Sequence, residues 1–211
     1  MKYTHIIWDF NGTLLNDVKI GIETVNHLLE KRRLKTLQSA EEYRKVFCFP
    51  VKEYYRKLGF DFESESYEVL AVEWVEQYLI REKDISLYPG AVEVLEKIND
   101  AGLEQVILSA TESAMLNKQL RALNIDCYFS EILGLDNIYA HSKAEMAKEW
   151  AMNRKNLRAL MVGDTVHDCE VAQYAGFDCI LISHGHHSSD RLRLCGVPAI
   201  SSLDEILNYL N

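Results

Sequence analysis

The strongest constraint on the fold is an alternation between apolar, strand-like runs and helical segments that begins after Pro89-Gly90. Strands that alternate with helices pair in parallel and form a sheet with helices on both faces. Local signals agree, because Gly102 closes the first of these helices and Ser142 opens a later one. The predicted strands are residues 105–108, 131–133, 157–162 and 179–182, and the predicted helices are residues 91–101, 113–123, 142–153, 169–175 and 203–210.

One further strand precedes this region and is separated from it by a long helical stretch. Residues 3–8 form a short apolar run that ends at Asp9, and Asn11-Gly12 then predicts a tight turn. Residues 15–84 have helical periodicity and no strand signal. The sequence therefore predicts an α/β fold: a doubly wound, mostly parallel Rossmann-like sheet with an inserted all-helical cap domain. The predicted division is a core of residues 1–14 and 85–211 and a cap of residues 15–84.

The composition limits the classes of function. The chain has 211 residues, the length of one domain or two small ones. Its net charge of −9, from 23 basic and 32 acidic residues, argues against a nucleic-acid-binding protein. Such proteins gather Lys and Arg to neutralise phosphates. A small anionic substrate is still compatible with this charge, since one site can be locally positive.

The compartment is inferred from cysteine usage and hydropathy. No apolar run approaches the ~20 residues of a membrane span, and the N-terminus lacks the basic start and cleavage site of a signal peptide. The five cysteines are widely spread and form no CxxC pair. We therefore expect a cytoplasmic protein with reduced thiols and no membrane or nucleic-acid partner, acting as a monomer or weak homodimer.

Polar residues stand where the predicted strands end, which is where open α/β sheets bind their ligands. Asp9 follows the first strand, Ser109 the second, and Asp164 the strand at 157–162, with Asp168 four residues later. Lys143 lies in the first turn of a predicted helix. Crowded carboxylates repel one another unless a hard cation joins them, and Mg²⁺ prefers oxygen ligands. The lysine and the serine would then hold a phosphate group.

Each of these residues also has an ordinary structural explanation. Asp9 before Asn-Gly is a common turn former, and Ser109 or Asp168 could cap the following helix. Lys143 could be an exposed helix residue. Only their joint occurrence at successive strand ends favours a site over these separate explanations.

Four segments together resemble the motifs of the haloacid dehalogenase (HAD) superfamily. They are the run from Asp9 to Leu14, Leu108-Ser109, Lys143, and the run from Gly163 to Asp168. Tyr88-Pro89-Gly90 and the helical insert resemble the phosphoglycolate-phosphatase-like subfamily, whose cap lies between the first two motifs. The resemblance covers essentially the whole chain.

The resemblance implies Mg²⁺-dependent hydrolysis of a small-molecule phosphate monoester through an aspartyl-phosphate. Asp9 would be the nucleophile, and Asp168 would be a water-mediated ligand or an orienting group. The implied catalytic residues are Asp9, Asn11 and Lys143. The implied substrate-binding residues are Gly12, Thr13, Ser109, Ala110 and Lys143. The implied metal-binding residues are Asp9, Asn11 through its carbonyl, Asp164 and Asp168. The expected partner is a small phosphorylated metabolite.

Position 11 departs from the family pattern, which has an acid–base aspartate there. Asn11 cannot carry a proton, and general acid–base groups contribute ~10² to 10⁴ in rate. We therefore expect esters with acidic leaving groups to react faster than alkyl phosphates. Histidines near strand ends are candidates to replace the acid. They are His141, His167, His184, His186 and His187.

Other interpretations remain at this point. The segment His184-Gly185-His186-His187 is interpreted chiefly as a solvated polar loop, and less readily as a transition-metal site. A phosphonatase would need a cap lysine for a Schiff base. The cap lysines considered are Lys19, Lys45, Lys52 and Lys57. A protein that binds a phosphorylated ligand without efficient turnover is the third alternative, supported by Asn11.

Overall fold

A six-stranded, fully parallel sheet forms the centre of the computed structural model, which describes residues 1–135 and 143–210. Its strand order is β5-β4-β1-β6-β7-β8. A separate antiparallel pair joins β2 and β3. The strands are β1 (His5–Trp8), β2 (Leu15–Asn16), β3 (Ser86–Leu87), β4 (Glu104–Glu112), β5 (Glu131–Leu135), β6 (Ala159–Gly163), β7 (Asp178–Ile182) and β8 (Ala199–Ile200).

Helices cover both faces of the large sheet. Successive side chains of a strand point to opposite faces, so Ile6 and Trp8 join one apolar cluster while Ile7 joins the other. The doubly wound α/β prediction is confirmed. The helices are α1 (Val18–Lys31), α2 (Ala40–Val46), α3 (Val51–Lys57), α4 (Tyr67–Arg81), α5 (Ala91–Asp100), α6 (Ser113–Ala122), α7 (Lys143–Met152), α8 (Val166–Ala175) and α9 (Ser189–Arg193). The 3₁₀ segments are Glu82–Asp84, Asp126–Tyr128 and Leu203–Tyr209.

Helices α1 to α4 pack around an apolar cluster of their own, which includes Leu28, Tyr55 and Leu70. Arg32 ties this unit together, because its guanidinium donates to Glu65 at 2.5 and 2.6 Å and to Glu73 at 2.6 Å. These helices form the predicted insert after β1. The proposed domain limits at residues 14/15 and 84/85 stay a prediction.

Short elements differ from the prediction. β2, β3, α9 and β8 are too brief for a periodic signal, and the last predicted helix is a 3₁₀ segment. The helix predicted from Cys169 begins at Val166, because Thr165 is its N-cap. Thr165 and Asp168 form a capping box, so Asp168 lies inside the first turn.

Candidate active site

Three aspartates converge at the carboxyl edge of the sheet. Asp9 follows β1 and Asp164 follows the adjacent β6, so parallel pairing alone brings them together. Asp168 joins them from the first turn of α8. One carboxylate oxygen from each lies within 4.8 Å of the others, and all three residues are buried. Ser109 reaches the same edge from β4, whose regular pairing with β5 stops after Leu108.

Asp9 lies between a hydroxyl and an ammonium group. Thr13 Oγ1 lies 3.1 Å from Asp9 Oδ2 and 3.2 Å from Asp164 Oδ1, while Lys143 Nζ donates to Asp9 Oδ1. Burial raises the pKa of Asp9 to about 6, and the adjacent Lys143 ammonium limits the rise. Asp9 is therefore largely ionised at neutral pH.

Lys143 is held by two carboxylates at once. Its Nζ donates to Asp168 Oδ1 at 2.6 Å as well as to Asp9. Burial alone would lower the pKa of Lys143, but Asp168 and Asp9 outweigh it and hold the pKa above its ordinary value. Asp168 Oδ2 accepts from the Thr165 amide at 2.9 Å and the Thr165 hydroxyl at 2.6 Å. Both oxygens of Asp168 are therefore engaged in positioning Lys143 and α8.

Asp164 is the carboxylate with the least compensation. Burial raises its pKa to about 8, and the Asp9 and Asp168 charges add to the rise, although His186 opposes it. Its Oδ2 accepts the main-chain amide of His186 at 2.5 Å. Without a cation nearby, Asp164 holds a proton at neutral pH.

The charge balance of the site fits a divalent cation. The buried groups that carry charge here are four aspartates, one lysine and one histidine: Asp9, Asp17, Asp164, Asp168, Lys143 and His186. His187 is buried as well, but burial lowers its pKa to about 3 and it is neutral. Burial would lower the pKa of His186, but Asp17 and Asp164 outweigh it and raise the pKa to about 9. When all six groups are ionised, two negative charges are in excess. Buried charges need such compensation, and oxygen donors suit Mg²⁺.

The side chain of Asn11 is locked by two partners of opposite kind. Its Nδ2 donates to Asp17 Oδ2 at 2.7 Å, and its Oδ1 accepts from the Thr111 hydroxyl at 2.7 Å. Asp17 Oδ1 also accepts from the main-chain amide of Gly12 at 2.9 Å. An amide satisfies both partners, whereas a carboxylate at position 11 would face the carboxylate of Asp17.

Residues 184–187, called here the histidine loop, lie on the site and are not a solvated loop, so that interpretation is wrong. His186 and His187 are buried. His186 Nε2 lies 3.3 Å from Asp17 Oδ1, and its Nδ1 lies 2.8 Å from the Tyr43 hydroxyl. His187 Nδ1 accepts the amide of Val166 at 3.0 Å. Each of these two imidazoles has its own hydrogen-bond partners. We therefore interpret them as groups that hold the loop in place and balance the aspartate charge.

The remaining histidines do not assemble into a metal site either. His184 Nε2 lies 3.0 Å from the carbonyl oxygen of Thr13, and its ring stacks on Tyr88 with centroids 3.6 Å apart. His167 stacks on Phe49 of the cap. Among residues 1–135 and 143–210, the aspartate trio is the only group of three His, Cys, Asp or Glu side chains close enough to share an ion. His141 lies outside the described residues.

The cap is hydrogen-bonded to the histidine loop. Arg44 of α2 donates to the carbonyls of Gly185 and His184, both at 2.8 Å. Arg191 of α9 donates to the Phe47 carbonyl of the cap at 2.6 Å. A Cβ at position 185 would overlap the Asp164 carboxylate, so only glycine lets the loop lie this close. The cap, the loop and Asp164 therefore form one packed stack.

A cavity of about 190 Å³ lies between the cap and the sheet edge. Asp9, Ser109, Ala110 and Lys143 line its polar end, as the sequence predicts for a phosphate site. Cap side chains line the other end. Gly12 and Thr13 lie off the cavity wall, beneath the carboxylates, and their predicted substrate contact stays a prediction.

The comparisons with known proteins agree with this geometry. A family model described as haloacid dehalogenase-like hydrolase matches residues 6–182. The chain belongs to this family. The prediction that it is an enzyme of the HAD phosphatase type is confirmed at that level.

Relatives of this HAD-like hydrolase have several names. Phosphoglycolate phosphatase of Caulobacter vibrioides is 26% identical over 191 residues, 86% of this chain and 79% of the relative. Pyrophosphatase PpaX of Halalkalibacterium halodurans is 22% identical over 92% and 89% of the two chains. A haloacid dehalogenase-like family hydrolase from Streptococcus pneumoniae superposes with a TM-score of 0.84 at 19% identity, over 100% and 99%. Mycobacterium tuberculosis Protein Tyrosine Kinase A superposes with 0.83 at 22%, over 100% and 99%. These superpositions show the fold alone.

Sequence reasoning missed three residues that the HAD-like hydrolase brings to its site. Asp17 occupies the N-cap position of α1 but makes no capping bond, because its carboxylate turns inward to Asn11 and His186. Thr111 contacts Asn11, and Tyr43 contacts His186. An aspartate directly before a helix predicts an N-cap, so nothing in the sequence indicated that the Asp17 carboxylate belongs to the site. Only the missing capping bond in the structure reveals this.

The part of the chain described here has no helix long and apolar enough to cross a membrane.

Proposed function

We propose that this HAD-like hydrolase cleaves a small-molecule phosphate monoester in a Mg²⁺-dependent reaction with Asp9 as the nucleophile. The observation that carries the proposal is the buried juxtaposition of Asp9, Asp164 and Lys143 at the polar end of the cavity between cap and sheet. A pair of carboxylates and a fixed ammonium supply the positioning and charge neutralisation that phosphoryl transfer requires.

The carboxylates of Asp9 and Asp164 and the main-chain carbonyl of Asn11 are the groups that would hold Mg²⁺. A bound Mg²⁺ would supply positive charge to the phosphoryl oxygens. Asp168 would act through Lys143, since both of its oxygens already have donors. The excess negative charge of the site and the raised pKa of Asp164 support this assignment.

The chain's own residues would act in two steps. An Asp9 oxygen forms a bond to phosphorus while the ester P–O bond breaks, and the leaving oxygen departs with the electron pair. Water then attacks phosphorus, the Asp9–phosphorus linkage breaks at the P–O bond, and inorganic phosphate leaves as the water proton passes to solvent. Lys143 would offset the charge on the transferring group. The Ser109 hydroxyl lines the cavity and donates to Thr111 Oγ1 at 3.1 Å, and it would turn to donate to a phosphate oxygen.

The substrate would be a small phosphorylated metabolite that fits beneath the cap. The net charge of −9 and the small cavity support a small-molecule partner over nucleic acid or a membrane. We propose that the enzyme acts in the cytoplasm as a monomer or weak homodimer. The five cysteines are free thiols, in keeping with that compartment.

One alternative is a protein that binds a phosphorylated ligand and turns it over slowly, which the locked amide of Asn11 favours. A phosphonatase has less support. Lys19 and Lys45 pair with surface glutamates, Lys52 lies over Phe62, and none of these lysines lines the cavity. Lys57 contacts Cys48 and does not line it either.

Phosphate release from a panel of phosphate esters, with and without Mg²⁺, tests the proposal. Asp9→Asn should lose at least about 10³-fold in turnover, because the nucleophile is removed. Asp190→Asn is the matched control, since Asp190 is a surface aspartate that pairs with Arg193. Equal turnover by the Asp9 and Asp190 variants would overturn the proposed function, and phosphate-dependent binding without any turnover would favour the alternative.

A further inference from the structure

The wall of the cavity opposite the carboxylates is aromatic. Six of its rings come from α2 to α4 or the segment between α2 and α3: Phe47, Phe49, Tyr54, Tyr55, Tyr67 and Trp74. Trp74 stacks on Tyr78 with centroids 4.9 Å apart, which fixes its plane. Tyr43 and Tyr78 line the cavity too, and their hydroxyls are used on His186 and Asp17. Their rings complete the aromatic wall.

The cavity has no spare cation for a second anionic group. Among the described lining residues the basic side chains are Lys143 and His186, and both are already engaged by carboxylates. Arg44 of α2 does not line the cavity and donates to the carbonyls of the histidine loop. Residues 136–142 contain one histidine and no lysine or arginine. A carboxylate on the substrate would therefore be buried against rings, at a cost in free energy.

The size and the leaving-group chemistry agree with an aromatic occupant. An engineered cavity of about 150 Å³ binds benzene, so about 190 Å³ accommodates a phosphate ester with one ring. Asn11 supplies no proton to the departing oxygen, and a phenol leaves without one more readily than an alcohol. Rings also stack on rings with energies of about 0.5–1.5 kcal/mol beyond area burial.

We infer that the substrate is the phosphate monoester of a small phenol that carries no second anionic group. The inference rests on the proposed function and selects a substrate class within it. Phosphoglycolate, which bears a carboxylate, is then a poor substrate for this chain. The pair Trp74 and Val75 on α4 would set the preference from the cap side.

The test uses matched ligands, so that recognition is separated from leaving-group acidity. Phenyl phosphate and 3-carboxyphenyl phosphate release phenols of similar acidity and differ by one carboxylate. With Mg²⁺, kcat/KM should be at least about tenfold higher for phenyl phosphate. Phosphoglycolate and phosphocholine are assayed alongside the phenyl pair. Equal efficiency for the phenyl pair, or a preference for either of these two, overturns the inference.

Binding of non-hydrolysable phosphonates separates this inference from the proposed function. Benzylphosphonate should bind at least about tenfold more tightly than phosphonoacetate by calorimetry in the presence of Mg²⁺. If benzylphosphonate binds with that preference but no ester is turned over, the proposed function fails and the recognition stands. If the two phosphonates bind equally or neither binds, the inference fails.

Two variants locate the effect in the cap. Trp74→Leu should weaken benzylphosphonate about tenfold, while Ile80→Ala on the exposed side of the same helix should leave its affinity unchanged. Val75→Lys should raise the ratio of phosphoglycolate to phenyl phosphate efficiency by at least about tenfold, because it adds the missing cation. Circular dichroism melts identify any variant that fails to fold, and a folded Val75→Lys with an unchanged ratio contradicts the assignment.

Discussion

Replacing Asn11 by aspartate should destabilise the folded chain even though it restores the residue typical of the family. The change removes the bond from Asn11 Nδ2 to Asp17 Oδ2 and places a half-buried carboxylate 2.7 Å from the buried carboxylate of Asp17. A hydrogen bond to a charged group contributes about 1.5–3 kcal/mol. Two charges about 3 Å apart repel by roughly 5 kcal/mol at an effective dielectric constant of 20. Proton uptake limits the total, so we expect a loss of about 3–5 kcal/mol at pH 8.

The loss should shrink in acid. The carboxyl pair would share one proton, and its pKa in the folded state would lie above the unfolded value of about 4. The folded variant then binds more protons than the unfolded chain, so stability is recovered as pH falls through the folded pKa. At pH 5, taking up that proton costs only about 1.5 kcal/mol. About 2–3 kcal/mol should therefore return between pH 8 and pH 5, relative to the parent.

Urea unfolding without Mg²⁺, followed by far-UV circular dichroism at pH 8 and pH 5, measures both quantities. The matched control is the double variant Asn11→Asp with Asp17→Asn, which keeps one amide and one carboxylate at this contact. It should recover at least half of the loss at pH 8. An Asn11→Asp variant as stable as the parent at pH 8, or a loss that does not depend on pH, would refute the reasoning.

Three shorter predictions address the metal site and the histidine loop. Asp164→Ala should weaken Mg²⁺ binding at least tenfold by calorimetry and abolish turnover, whereas unchanged affinity would remove Asp164 from the metal site. Gly185→Ala should lower the free energy of unfolding by about 2 kcal/mol or more, because its Cβ overlaps Asp164; a melting temperature equal to the parent's would contradict that packing. Burial lowers the pKa of His187 to about 3, below the unfolded value of about 6.5. The folded state therefore favours the neutral ring. This contribution to stability is fully present above pH 6.5 and is lost as the pH falls. About 2 kcal/mol should be lost by pH 5 in the parent but not in His187→Asn, and parallel pH curves of stability would be the negative result.

The fold was predictable where the hydrophobic period is long. The strands around Ile7 and Met161 have several consecutive buried residues, and the helix from Val18 to Lys31 repeats over almost four turns. Two-residue strands such as Leu15–Asn16 are too short to show a hydrophobic repeat in the sequence. Their pairing is decided by partners far along the chain, and a local pattern does not contain that information.

The predicted phosphate end of the site is assembled as expected, because parallel strands necessarily bring Asp9 and Asp164 to one edge. The partners of Asn11 were not predictable in the same way. Asp17 lies 6 residues after Asn11 and Thr111 lies 100 residues after it, and no local pattern joins the three. The histidine loop misled the sequence argument because polar residues after a strand are usually exposed, whereas Arg44 and the cap cover these.

The stacking of cap, histidine loop and Asp164 ties access to electrostatics. If the cap lifts, the bonds from Arg44 to Gly185 and His184 and from Arg191 to Phe47 must break, and water enters above Asp164. In the open state water therefore reaches the carboxylates, screens them from one another and weakens their mutual repulsion. Closure runs the other way, since shutting out water strengthens the attraction of the aspartates for any cation beneath the loop. The same movement of the cap that admits a ligand therefore sets how tightly a cation at the bottom of the site is held.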